Sequence, residues 1–173
     1  MGASILGRRA RQLAAVAHHE AGHAVAAFHV GMETKALSIV PEGYSRRAAY
    51  FSDKHVIPII AGKLTGDIKM RHENNAFICL VGPWAQREFN PKGFRKTHAE
   101  SDRHQAIGFL GRVRNDNEAL ELYFKRIDLE ARDFVQDKFK WGVICHLAGI
   151  VLKQREMTGD QVRKAIMSGY HVS

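Results

Sequence analysis

At 173 residues, 45% hydrophobic and 25% charged, the chain has the make-up of an ordinary folded protein, which excludes the disordered, collagen-like and coiled-coil classes and fits one domain spanning 1–173. No apolar run approaches the roughly 20 residues of a membrane helix, and Met1–Arg11 lacks the uninterrupted apolar core of a secretory signal; a cytoplasmic protein with no membrane span is expected. The 26 Lys and Arg against 18 Asp and Glu leave a charge of +8, but it is dispersed except at Arg8, Arg9 and Arg11, and with no recognised binding motif a nucleic-acid partner is not expected.

Between Arg8 and Val30 the chain is alanine-rich, and Leu13, Val16, Ala17, His23, Ala24 and Ala27 recur at three- and four-residue spacings. That periodicity predicts a mostly buried helix, stopped by Gly31. Lys35–Val40, ending at Pro41, and Ala48–Phe51, after the turn-forming Glu42-Gly43-Tyr44-Ser45, read as two short strands of a small sheet. Ser52–Met70 carries Pro58, Gly62 and Gly66, so a loop or broken helix is expected.

Glu73–Phe89 is helical in pattern, with a kink expected at Gly82-Pro83 and a stop at Asn90-Pro91-Lys92-Gly93. Another helix is expected from Glu100–Asp102 to about Val113. Leu120, Phe124, Ile127, Phe134 and Val135 mark one more, and Val143, Ile144, Leu147, Ile150 and Val151 the next. Thr158-Gly159-Asp160 caps a short last helix toward Met167. The fold class expected is α+β, mainly helical, of the zincin-like kind, with a small sheet beside the first helix.

Ten histidines invite a search for metal ligands, whereas Cys79 and Cys145 stand far apart with no Cys-x-x-Cys and point to neither a disulfide nor a cysteine zinc site. The sharpest signal is His19-Glu20-Ala21-Gly22-His23, an H-E-x-x-H inside the first predicted helix. Residues four apart on a helix differ by about 40° and about 6 Å along the axis, so His19 and His23 can present nitrogens to one zinc ion. Glu20 sits beside that face, where its carboxylate can act as general base toward a zinc-activated water without being a ligand.

A catalytic zinc needs a third protein ligand. His29 nearly completes a metzincin pattern, but Ala26 stands where that pattern has its turning glycine. If the helix continues, His29 lies about 9 Å along the axis and about 120° around from His23. Glu73 or Glu88 would serve in the gluzincin manner, on a second helix.

Longer stretches bear on the choice. Val16-Ala17-His18-His19-Glu20-Ala21-Gly22-His23-Ala24-Val25 resembles the active-site helix of the FtsH family of ATP-dependent zinc proteases, and Ala36-Leu37-Ser38-Ile39-Val40-Pro41-Glu42-Gly43 resembles that family's strand and Pro-x-Gly turn. His98-Ala99-Glu100-Ser101-Asp102-Arg103-His104-Gln105-Ala106 is similar to the segment in which an Asp at a helix start supplies the third zinc ligand, and Leu152–Val162 resembles the closing helices. The resemblance spans nearly the whole chain in order and implies Asp102 as third ligand. The chain departs from the family at Val81-Gly82-Pro83-Trp84-Ala85-Gln86-Arg87-Glu88, where Gly-Gly-Arg-Ala-Ala-Glu is usual, and it carries no Walker motif; Gly62-Lys63-Leu64 fails that test.

The resemblance thus implies a stand-alone zinc metalloendopeptidase that hydrolyses unfolded or flexible polypeptides, with a separate ATPase or a homo-oligomer as possible company. A catalytically inactive scaffold that binds metal or a partner is the rival reading, against which the intact Glu20 argues. The strand around Leu37–Val40 has two readings: an edge to which an extended substrate adds, or an ordinary structural strand. His18 should point about 100° away from His19, toward a surface or ligand-orienting role. His98 and His104 flank Asp102 as candidates for contacting substrate or orienting a ligand; His55, His72, His146 and His171 read as ordinary residues.

Overall fold

The alanine periodicity produces a helix longer than expected. α1 runs Gly2–His29, six residues beyond the predicted start, and buries Ala17, Ala21, Ala24 and Ala27 completely. Side chains this small let a neighbouring helix approach closely. α1 stops where the sequence says it should: Gly31 takes φ 76°, with Gly31 N–H on the Phe28 carbonyl at 3.1 Å and Met32 N–H on the Ala27 carbonyl at 2.8 Å. This pair of bonds is a Schellman cap, which needs a left-handed residue at that point.

The computed structural model describes residues 2–40, 50–51, 66–114 and 116–172. Over these the chain is mainly helical with a small antiparallel sheet: after α1 come β1 (Thr34–Ser38), β2 (Tyr50–Phe51), α2 (Gly66–Phe89), a 3₁₀ turn (Lys96–Ala99), α3 (Glu100–Gly111), α4 (Asn117–Gln136), α5 (Lys138–Gln154), β3 (Glu156–Thr158) and α6 (Gly159–Val172). Among the described residues no helix is long and apolar enough to cross a membrane.

Four expectations need correction. The helix expected from Glu73 begins earlier, at Gly66, inside the segment Ser52–Met70 expected as a loop or broken helix; glycine costs little in a first helical turn, and Asp67 there favours the positive end of the dipole. Residues 52–65, with His55 and the failed Walker test at Gly62-Lys63-Leu64, lie outside the described residues, as do Pro41-Glu42-Gly43 of the turn and Ala48 and Ala49 of the second strand. The closing stretch is not all helix: Glu156–Thr158 is a strand that pairs with β1 through Ala36↔Thr158, Leu37↔Met157 and Ser38↔Glu156. β1 is therefore the central strand of the order β2-β1-β3, not an edge of the sheet: β3 and the Arg155 carbonyl take one side of Leu37–Ile39, while β2 pairs with β1 only at Thr34 and Ala36. Lastly, α6 continues past Met167 to Val172.

The capping chemistry accounts for the other boundaries. Asp137 both ends α4 and begins α5, its backbone extended and its carboxylate accepting from Lys140 N–H at 3.0 Å. Thr158 and Gln161 form a reciprocal capping box at the start of α6, with bonds of 2.8 and 3.4 Å. One continuous apolar core joins α1, α2, α4, α5 and α6 to β1, from Val25 and Leu37 through Leu80 and Val81 to Ile144, Leu147 and Ile166. α1 and α2 cross at its centre. The sequence that forms α2 carries the buried Pro83 inside the helix, and proline has no N–H to give the Cys79 carbonyl one turn back.

Candidate metal centre

The α1–α2 crossing, closed on one side by the start of α3, brings three of the sequence candidates together. His19 Nε2 lies 3.0 Å from His23 Nε2 and 3.3 Å from Asp102 Oδ2, and His23 Nε2 lies 3.6 Å from Asp102 Oδ1. Their ligand atoms all fall within 4.8 Å of one another, a grouping met nowhere else among the described residues. Ligands bonded at about 2.05 Å to a tetrahedral zinc stand about 3.3 Å apart, and the observed spacings straddle that value.

The hydrogen bonds on the far side of each ring decide which nitrogen faces inward. His23 Nδ1 is 2.7 Å from the Ile78 carbonyl oxygen, which can only accept, so Nδ1 carries the proton. His19 Nδ1 donates to Gln86 Oε1 at 2.9 Å. Each neutral imidazole therefore turns a lone pair inward from Nε2, and Asp102 adds two more acceptor oxygens. Acceptors facing acceptors at 3 to 4 Å repel unless a cation lies among them. A proton on His19 relieves part of this, and a divalent cation relieves all of it; the donor set, two imidazoles and one carboxylate, suits zinc.

The charge state follows the same logic. Burial pushes His19 down, but the Asp102 hydrogen bond and the nearby Glu20 and Asp102 charges outweigh it, leaving the pKa above the ordinary imidazole value. His23 is held below that value by burial and by the neighbouring His19 charge. Burial pushes Asp102 up, but its bond to His19 and the charges of His23 and His19 bring it below the usual carboxylate range. The directions agree: a proton is held more readily by His19 than by His23, and Asp102 favours its carboxylate form. Glu20, only 6% exposed, follows His19 on α1 and adds a second carboxylate whose charge both histidines feel.

The remaining candidates stand apart. α1 continues through the fully buried Ala26 and Ala27, and His29, at its end, packs its ring 5.0 Å from Phe134. Glu73 pairs with Arg126 at 3.2 Å, and Glu88 is exposed. His18 stacks on Phe89 at 3.9 Å and bonds through Nδ1 to the Ala14 carbonyl, an orientation away from the cluster. His104 lines a surface pocket of about 340 Å³ with Lys96, Thr97, Glu100, Arg103 and Ile107, on the outer face of α3. The half-buried Cys79 thiol lies near Asp102, and desolvation followed by that charge pushes it up to about 12.

Gln86 and Gly82 escaped the sequence reading as individual residues. With Ile78 they form an i, i+4, i+8 row along α2 that meets the two histidines: Ile78 through its carbonyl, Gln86 through its amide, and Gly82 by the absence of a side chain. Only the spacing was visible in the sequence, because what faces that row depends on how α1 crosses α2. The chain matches no protein-family model and no curated protein.

Proposed function

We propose that the protein is a zinc metalloendopeptidase of the FtsH-like kind, acting on unfolded or flexible polypeptides. One observation carries this reading: inward-facing acceptors from His19, His23 and Asp102 converge within 4.8 Å, with the buried Glu20 next to His19 on α1. His19, His23 and Asp102 would hold the ion, three ligands that leave a coordination position for catalysis. A zinc ion bound there lowers the pKa of water to about 7 and polarises a carbonyl oxygen.

The chain's own residues supply the rest. The bonds from His19 to Gln86 and from His23 to Ile78 keep both rings in the ligating tautomer. Asp102 offsets part of the ion's charge. Glu20 takes the proton of the attacking water at a carboxylate oxygen and returns it to the leaving amine, as general base and then general acid. An inactive scaffold has no need of a buried carboxylate at that position.

The test is a zinc determination on purified protein together with hydrolysis of unfolded casein. One zinc per chain, and cleavage abolished by a chelator and restored by zinc, is the expected result. Absence of zinc binding ends the metal reading, and zinc binding without cleavage under any condition favours the scaffold.

A further inference from the structure

Gln86 lies between two histidines. Its Oε1 faces His19 Nδ1 at 2.9 Å, and its Nε2 lies 3.4 Å from His98 Nδ1. The two ends of a carboxamide are nearly alike in shape and opposite in hydrogen-bond sense, so packing alone does not choose between them. The choice has consequences for the metal site. An NH₂ aimed at His19 would need Nδ1 as acceptor, which moves the ring proton to Nε2, and a protonated Nε2 cannot ligate.

His98 makes the choice. Its Nδ1 also receives the backbone N–H of Arg95 at 3.3 Å, from the residue that precedes the 3₁₀ turn to its third position. A backbone N–H only donates, so Nδ1 is the acceptor of the His98 ring and calls for a donor from Gln86. Gln86 then has its carbonyl left for His19. We propose that His98 is a positioning residue: through the Gln86 amide it holds His19 in the Nδ1–H tautomer and so sets the metal affinity of a site it does not touch. The proposal rests on the metal reading above. His98 itself is exposed, its ring edge-on to Phe94 at 6.0 Å, so replacing it leaves the core intact.

Glutamate at 86 offers two equivalent acceptors and has no orientation to set, which gives the test its control. Cobalt(II) binding, followed by visible absorption, and zinc competition are measured on the wild type, His98→Ala, Gln86→Glu and the double variant. His98→Ala should weaken affinity by about tenfold, the lower end of what partners of metal ligands contribute. In the Gln86→Glu background the same change should matter by less than about twofold, the scatter of independent sites. No loss in the wild-type background, or equal loss in both, overturns the proposal while leaving the metal reading standing. A wild type that binds neither cobalt nor zinc overturns both.

Discussion

The imidazole of His23 lies directly against Gly82, so closely that the carbon an alanine would add there falls on ring atoms Cε1 and Nε2. The same ring is tied by its 2.7 Å bond to Ile78, one turn earlier on α2. Gly82→Ala must therefore displace the ring from the metal position or push the helices apart. Overpacking of this kind costs about 1–3 kcal/mol of stability. Zinc affinity should fall by at least about tenfold, because the ligand itself is moved. Denaturant unfolding of the metal-free variant and a zinc titration check the two effects separately, and wild-type affinity would show that the ring is not confined by Gly82.

Glu20→Gln keeps the size of the side chain and removes the proton acceptor. Since Glu20 is not among the three converging ligands, zinc stoichiometry should stay at the wild-type value. Peptidase activity on unfolded casein should drop by at least about 100-fold, the lower end of what general acid–base catalysis supplies. A fully active variant would sink the proposed role.

How much of this was legible in advance varies by residue. The helical spacing of His19 and His23 is local, and their common face follows from 3.6 residues per turn; α1, the Gly31 stop and the Asp102 helix start are of the same kind. β3 is three residues long and borrows its regularity from β1, so no periodicity exists to read. The central place of β1 likewise depends on a partner from the far end of the chain. Gln86 was hidden because an amide on a helix gives no sign of what it faces until two helices cross.

Arg155 gives a prediction independent of metal. It has φ 69° and ψ −37° at the end of α5, and is the one non-glycine residue at positive φ among the described residues. Its backbone is pinned there, with N–H on the Val151 carbonyl at 2.7 Å and its carbonyl accepting from Ile39 N–H at 3.0 Å. The side chain is exposed, so little packing is lost on removal. Arg155→Gly should stabilise the protein by on the order of 1 kcal/mol, the released strain less the entropy that glycine adds to the unfolded chain. For a protein of this size the melting temperature should rise by roughly 2–4 °C. A lower melting temperature would show that the backbone is unstrained.

Asp102 and His29 separate two ways of completing the same five-residue motif. Asp102 reaches the cluster by tertiary packing, as the third residue of α3, with its oxygens 3.3 Å and 3.6 Å from the two Nε2 atoms. His29 remains on the continuing α1 and turns its ring to Phe134, where burial and the Lys140 charge hold its pKa below the usual value. Asp102→Ala removes the only anionic donor of the three and leaves two imidazoles, too few for a zinc site with one open position. That variant should lose activity and bind zinc far more weakly, whereas His29→Ala should bind as the wild type does. Thermal unfolding offers a second readout, because a ligand at 100 times its Kd adds about 2.7 kcal/mol of stability. Zinc should raise the melting temperature of the wild type and of His29→Ala, and leave that of Asp102→Ala almost unmoved. The reverse pattern, a zinc response kept by Asp102→Ala and lost by His29→Ala, would mean that α1 breaks near Ala26 when metal binds, and would overturn the FtsH-like reading along with the ligand.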